Sequence, residues 1–389
     1  MTPPDTLAAV SVAGPPVAAA SGRRHVRDAL PYCVAGGTVD RIEFGTDRTR
    51  VTLSVPRRHS AQVEQDVELL VRTAGKFRDP RDEGREVGPD APHVPHAVDG
   101  LYRFTGPGSL LGTAPYARAV HRLDAYFARL AAESDAEEAV APGTVTMDTL
   151  ARAGYLASFP QHVMRVSVVR HDLRALAEAA AAGEADEGGA SAFEPTALAL
   201  PPAACLHLFA GLLGRRLDAP LHTSTLLGQC GRHEAGQHEN PERLWTYRLR
   251  EIVTVGEPEP VAESVGRFLA LLERAAVELA VPCTLEEATD PFFGDSAADL
   301  TSFQVRIRPK TELRPRHPLP TRGALASVNA HGAHFGQAFR IGTAAGTPAF
   351  SACVGFGLER WATALLALHG PAPENWPAVL DDGRKVSHE

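Results

Sequence analysis

Apolar and polar positions alternate over residues 247–255. Tyr247, Leu249, Glu251, Val253 and Val255 fall on one face of a predicted strand, because successive side chains point to opposite sides. The residues before Arg232 predict a partner strand, and a polar loop joins the two. A second alternation, Val51, Leu53 and Val55, follows Ile42, Phe44 and a Gly45-Thr46-Asp47 turn, and predicts a hairpin over 38–56. The period becomes helical where Val63, Val67 and Leu70 predict a short helix, and again across 116–130. Val261, Val265, Phe268, Leu269, Leu272, Ala276 and Leu279 predict an amphipathic helix over 259–281, either packed on the core or docked to a partner. Residues 163–169 and the alternating Phe303, Val305 and Ile307 are strand-like. Residues 325–339 lead into a last strand.

Between these elements the pattern lapses. Residues 1–22, rich in Ala, Pro and Val without a period, predict a disordered tail. Residues 79–95 repeat Asp, Pro, Gly and Arg and read as a linker. This leaves a small α+β accessory module over 23–95 and a main domain over 96–389, with an inserted helical segment over about 257–300. Residues 179–192, low in complexity and acidic, predict a surface loop.

One position breaks the apolar face: Glu251. A buried carboxylate is costly unless it is paired or holds a metal. Pairing with Arg248 or Arg250, or a half-wet face, would serve as well as a metal. Arg232, His233, Glu234, His238, Glu239, Glu242 and Arg243 crowd the hairpin and suit a polyanionic ligand such as a nucleotide.

The 389 residues allow two or three domains. No run of 18 apolar residues spans a membrane and no secretion signal opens the chain, so a cytoplasmic protein is expected. A net charge of −8 argues against a nucleic-acid partner. The five cysteines, Cys33, Cys205, Cys230, Cys283 and Cys353, are odd in number and scattered, which is no disulfide framework. A lone Cys in an apolar context is ordinarily a small buried hydrophobe.

The polar hairpin resembles motif 2 of the class II aminoacyl-tRNA synthetases: Arg232-His233-Glu234, a variable loop and a return strand. Gly355-Phe356-Gly357-Leu358-Glu359-Arg360, followed by apolar Trp361, Ala362, Ala364, Leu365 and Leu366, is similar to motif 3. The order and a spacing of about 100 residues make the pair specific. The resemblance implies an α+β fold, an antiparallel sheet flanked by helices, beside the small N-terminal module. It also implies a homodimer through motif 1, a long helix and a strand with a Pro, for which Pro160 is the candidate.

Within class II, the methanogen-type seryl-tRNA synthetases and the related amino acid:[carrier protein] ligases hold zinc on Cys, Glu and Cys. The matching positions here are Cys205, 46 residues before Glu251, Glu251 itself, and Cys353, 102 residues after it. The resemblance implies that the open fourth position takes the amino group of a small amino acid. It implies that Arg232 binds the α-phosphate of ATP, that Glu234, Leu244 and Trp245 lie about the adenine, and that Arg360 holds the γ-phosphate or the base. Ser327 and Asn329 are further site candidates. Two departures stand out. Gly231 replaces the Phe before the motif 2 Arg, and Ala324 replaces the Glu that, three residues before Ser327, would bind the Mg²⁺ of ATP.

The N-terminal region does not look like a helical tRNA-gripping domain, and Asp290-Pro291-Phe292-Phe293 looks like a segment of the carrier-protein ligases. The resemblance therefore implies an AMP-forming ligase that loads a phosphopantetheinylated carrier protein, not tRNA. A tRNA-charging seryl synthetase, an amide-forming ligase and a silent zinc-binding homologue remain as alternatives.

Overall fold

The computed structural model describes residues 6–34, 36–77, 79, 84–90, 95–181, 191–236, 239–288, 310–316 and 319–381. The N-terminal module is a three-stranded antiparallel sheet, β1 (Leu7–Gly14), β2 (Thr38–Phe44) and β3 (Thr49–Pro56), with β3 in the middle. Helices Ala20–Ala29 and Ser60–Ala74 complete it. Its core is its own: Val10 and Val12 from β1, Val51, Leu53 and Val55 from β3, and Val26, Val63, Val67 and Val71 from the helices.

The residues expected to form a disordered tail thus include a strand. Val10 and Val12 are buried at a spacing of two, but the Ala and Pro residues around them flatten the contrast that announces a strand. The linker also contributes: β4 (Arg85–Val87) adds an edge to the main sheet.

The chain then forms a hairpin, β5 (Tyr102–Gly106) and β6 (Ser109–Gly112), and a long helix, Ala114–Ala132. After it come β7 (Glu137–Val140), β8 (Val145–Thr146), β9 (Arg165–Val169), β10 (Phe193–Ala199), β11 (Leu221–Gly231), β12 (Thr246–Gly256), β13 (Cys283–Glu287), β14 (Lys310–Pro315), β15 (Ala326–Gly332) and β16 (Phe350–Gly357). Eight strands build one sheet in the order β4-β13-β14-β15-β16-β12-β11-β7, antiparallel except for the β7–β11 pair. β8, β10 and β9 form a small separate sheet.

Three helices cover one face of the main sheet. Helix Ala114–Ala132 buries Tyr116, Val120, Leu123, Phe127 and Leu130, a single helical stripe. Phe127 stacks on Phe356 of β16 at 4.1 Å and meets Trp361 of the closing helix, Leu358–His369. Helix Pro258–Glu278 lays Val261, Phe268, Leu272 and Ala276 into the same core, packed against β12, β15 and β16. The amphipathic helix predicted over 259–281 is therefore a core element on its apolar side. Residues 289–309, with Asp290-Pro291-Phe292-Phe293, Phe303, Val305 and Ile307, lie outside the described residues, as do 182–190 of the acidic loop.

Pro160 is not at a sheet edge. It opens a short turn, Pro160–His162, beside the small sheet. A long helix followed by a strand, the pattern expected of motif 1, also occurs at Ala114–Ala132 and β7, which ends the main sheet, with Pro142 after it.

Candidate active site

The second face of the main sheet carries the chemistry. On β12, Ile252 and Val354 of its neighbour β16 belong to the helix-covered core, whereas Glu251, Val253 and Cys353 face the other way. There a cavity of about 580 Å³ opens, lined among others by Arg232, Leu244, Glu251, Ser327, Cys353 and Arg360. Its size is in the range that holds a small organic ligand.

At the floor of the cavity, Cys205, Glu251 and Cys353 come together with their ligand atoms within 4.8 Å of one another, all buried. Among the described residues they are the only group of three metal-binding side chains. Cys205 precedes the short helix Leu206–Gly211, and its backbone N–H donates to Glu251 Oε2 at 2.5 Å. Burial pushes the Glu251 carboxyl up to about 8, and the neighbouring Cys353 adds to the effect. The hydrogen bond the two thiols share lifts Cys205 well above its ordinary range and draws Cys353 well below it. Cys353 also meets His331 Nε2 at 3.6 Å and Asn329 Nδ2 at 3.7 Å. Tetrahedral zinc with bonds of about 2.0–2.3 Å needs donors within about 4 Å of each other, so the trio fits zinc after adjustment of about an ångström. The donor set also fits, since a buried cluster of acidic groups is what a bound cation relieves.

Neither nearby arginine on β12 neutralises Glu251. Arg248 is held by Glu359, whose carboxylate accepts from its N–H and Nε, both at 2.9 Å. Arg250, buried on the helix side, pairs with Asp124 at 2.8 Å and Glu138 at 3.2 Å. The pairing alternative for Glu251 is thereby set aside.

Arg232 and Arg360 line the same cavity. Arg232 is held by its Nε bond to Pro202 O, 2.9 Å, and lies over the Tyr247 ring. Arg360 projects from the first turn of the closing helix. Its Nε and Nη2 bond Glu242 O at 3.0 and 2.5 Å, and Nη1 bonds Ala324 O at 2.9 Å. A side chain at Gly323 would meet this guanidinium at 2.8 Å, so the bare glycine makes its room. Motifs 2 and 3 are thus joined directly, through Arg360 and the Glu242 carbonyl.

The predicted site residues mostly converge. Arg232, Glu234, Leu244, Glu251, Ser327, Asn329, Cys205, Cys353 and Arg360 all line the cavity. Trp245 does not; its indole N–H donates to Glu234 O at 3.0 Å and its backbone packs on Gly108, so it braces the loop from behind. His334 reaches Ala153 O, at the cavity wall. His238 lies outside the described residues. Cys33, Cys230 and Cys283 are buried thiols raised by burial, as expected of packing residues.

Glu312 was not anticipated. It stands opposite Ser327 on β14 and lines the same cavity. Burial works to raise its carboxyl, but Lys310 and Arg314 outweigh burial and hold it near about 2. The signal was present as a Lys310, Glu312, Arg314 alternation on a short strand, but it lacks an apolar contrast.

No family model matches the chain. The chain is 32% identical over 299 residues to amino acid–[acyl-carrier-protein] ligase 2 of Bradyrhizobium diazoefficiens, covering 76% of this chain and 88% of that protein. Ligase 1 of the same organism is 30% identical over 293 residues, with coverages of 74% and 88%. The type-2 serine–tRNA ligase of Methanopyrus kandleri is 26% identical over 379 residues, covering 92% of this chain and 68% of that protein. So long a match takes in most of the N-terminal module, which is therefore not peculiar to this chain. Among solved structures, M. kandleri seryl-tRNA synthetase in complex with A. aeolicus tRNASec superposes with a TM-score of 0.66 at 24% identity, over 88% of this chain and 72% of that one. Seryl-tRNA synthetase from Pyrococcus horikoshii complexed with ATP gives 0.57 at 14% identity, over 83% and 79%. These likenesses establish the class II synthetase fold.

Proposed function

The chain belongs to the amino acid–[acyl-carrier-protein] ligase family, and on that premise we propose that it activates a small amino acid with ATP and passes the aminoacyl group to the phosphopantetheine thiol of a carrier protein. The observation that carries this reading is the single cavity that brings the buried Cys205–Glu251–Cys353 trio together with Arg232 and Arg360. An amino acid and the triphosphate of ATP call for those two sets of groups.

In the first step a carboxylate oxygen of the amino acid attacks the α-phosphorus of ATP, and pyrophosphate leaves. Arg232, held through its Nε by the Pro202 carbonyl, meets the charge that develops on the α-phosphate in this reading. Arg360 holds the outer phosphates from the motif 3 side. Leu244 gives the adenine an apolar wall. Ser327 and Glu312, register partners across β14 and β15, would offer oxygens to the Mg²⁺ that ATP carries, in place of the Glu absent at Ala324. Cys205, Glu251 and Cys353 would hold zinc, which when bound favours the neutral amine and orients it in its open position. Around them Asn329 and His331 bond Cys353 and fix its direction. In the second step the carrier thiol attacks the aminoacyl carbonyl, a thioester forms, and AMP leaves.

No helix among the described residues is long and apolar enough to cross a membrane. We further propose a homodimer across β7, one of the two edge strands of the main sheet among the described residues, where Val140 is 97% exposed.

The M. kandleri match over the N-terminal module favours tRNA as a second reading of the acceptor. Mass spectrometry of a holo-carrier protein and acid-gel analysis of total tRNA, each incubated with enzyme, ATP and amino acid, separate the two. The carrier is expected to gain one aminoacyl mass and tRNA to stay uncharged. Charged tRNA with an unmodified carrier would reverse the assignment.

A further inference from the structure

The end of helix Ala20–Ala29 and the turn after it bring the N-terminal module against residues that line the cavity. Asp28 Oδ1 accepts from Arg243 Nη2 at 2.6 Å, and Arg243 Nη1 donates to Glu234 Oε2 at 3.1 Å. One guanidinium therefore ties the module to Glu234, whose side chain is only 14% exposed. Four residues on, the Tyr32 hydroxyl donates to His233 O at 2.7 Å, and its ring stands edge-on to His233 and His162. Pro31 abuts Gly236, whose φ of +70° suits a residue without a side chain.

These contacts fall on the two arms of the motif 2 connection. Residues 232–236 carry Arg232 and Glu234. Residues 239–245 carry Arg243 and Leu244, and also the Glu242 carbonyl that holds Arg360. From the main domain, the outgoing arm is braced by Trp245 against Glu234 O and by His162, which meets His233 O at 3.1 Å. Arg243 faces the cavity with Arg360, so its direction affects both the local charge and the position of Glu234. Polar side chains on a loop do not hold one arrangement unless something outside the loop fixes them.

We propose that the N-terminal module is a clamp on the nucleotide site, with Asp28 and Tyr32 as positioning residues: Asp28 directs Arg243 and hence Glu234, and Tyr32 fixes the backbone that follows Arg232. This rests on the reading of the cavity as an ATP site and gives the module a role in the first step of the reaction, before any carrier or tRNA is engaged. Asp28→Asn and Tyr32→Phe leave the module core untouched, because neither residue belongs to it.

The test uses the full-length zinc-loaded enzyme in two readouts. In amino acid-dependent ATP–pyrophosphate exchange, Asp28→Asn is expected to raise the KM for ATP on the order of fivefold to tenfold while the KM for the amino acid and the zinc content stay put. Asp28→Glu should recover most of the loss. In hydrogen exchange without substrates, amides in 232–236 and 239–245 should exchange faster in Asp28→Asn and Tyr32→Phe, with the rest of the main domain unchanged. An unchanged ATP KM with unchanged loop protection overturns the proposal. So does an equal loss in both KM values together with a lowered Tm, which would mark the contact as packing alone. If wild-type enzyme supports no exchange with any amino acid, the ligase reading fails on its own. Hydrogen exchange of the two variants then decides the clamp.

Discussion

Glu251 concentrates the account in one side chain. It stands on an apolar strand face, receives the Cys205 N–H and has no arginine partner on its own strand. Glu251→Gln keeps the shape and removes the charge. It is expected to weaken zinc binding by more than the roughly 10- to 100-fold seen when a group that merely orients a ligand is lost, as read by metal content after dialysis. Unchanged stoichiometry would remove Glu251 from the donor set. A second residue-scale prediction concerns His25, buried in the module against Phe77 with Nδ1 unpaired among the described residues. Burial lowers its pKa to about 4, with Asp28 opposing. The unfolded chain therefore binds the proton more readily. The stability that neutral His25 permits is fully present above about 6.5 and is lost as pH falls from there towards 4. His25→Leu should flatten this loss, worth up to about 3 kcal/mol at pH 4, in thermal melts between pH 4 and 7. Equal acid sensitivity in the variant would place the effect elsewhere.

At the scale of elements, strands with a clear alternation were legible and those without were not. β3 and β12 alternate branched or aromatic residues with polar ones, and both were visible in the sequence. β1 hides Val10 and Val12 among alanines, and β4 is three residues that gain their strand state from pairing with β13, a partner nearly 200 residues away. The site was readable through the family resemblance: Cys205, Glu251 and Cys353 come together as that resemblance implied. Trp245 illustrates the limit. Its place in the loop was evident, but which way it turns was decided by Gly108 on a distant hairpin. Arg250 was likewise unreadable, since its partners Asp124 and Glu138 belong to the preceding helix and to β7. It ties the two elements to the centre of the sheet. Asp124→Ala should cost about 2–4 kcal/mol by chemical denaturation, because it leaves a buried guanidinium with only the exposed Glu138, while zinc content stays unchanged. A cost below about 0.5 kcal/mol would show that Arg250 finds water or another partner.

Across the whole molecule, the sheet separates two tasks. Its helix-covered face supplies the core, and its open face holds the cavity between motifs 2 and 3, overlooked by the N-terminal module. The β7 edge predicts the dimer. Val140→Asp should convert dimer to monomer in sedimentation, and a variant that remains dimeric would move the interface elsewhere. The central claim is that this cavity adenylates an amino acid whose amino group is held at the Cys205–Glu251–Cys353 site. The most direct measurement is ATP–pyrophosphate exchange by the zinc-loaded protein across all twenty amino acids, beside Cys205→Ala. The account predicts exchange with one or two small amino acids, reduced at least about 100-fold in the variant. Exchange with no amino acid despite bound zinc, or full activity in Cys205→Ala, would contradict it.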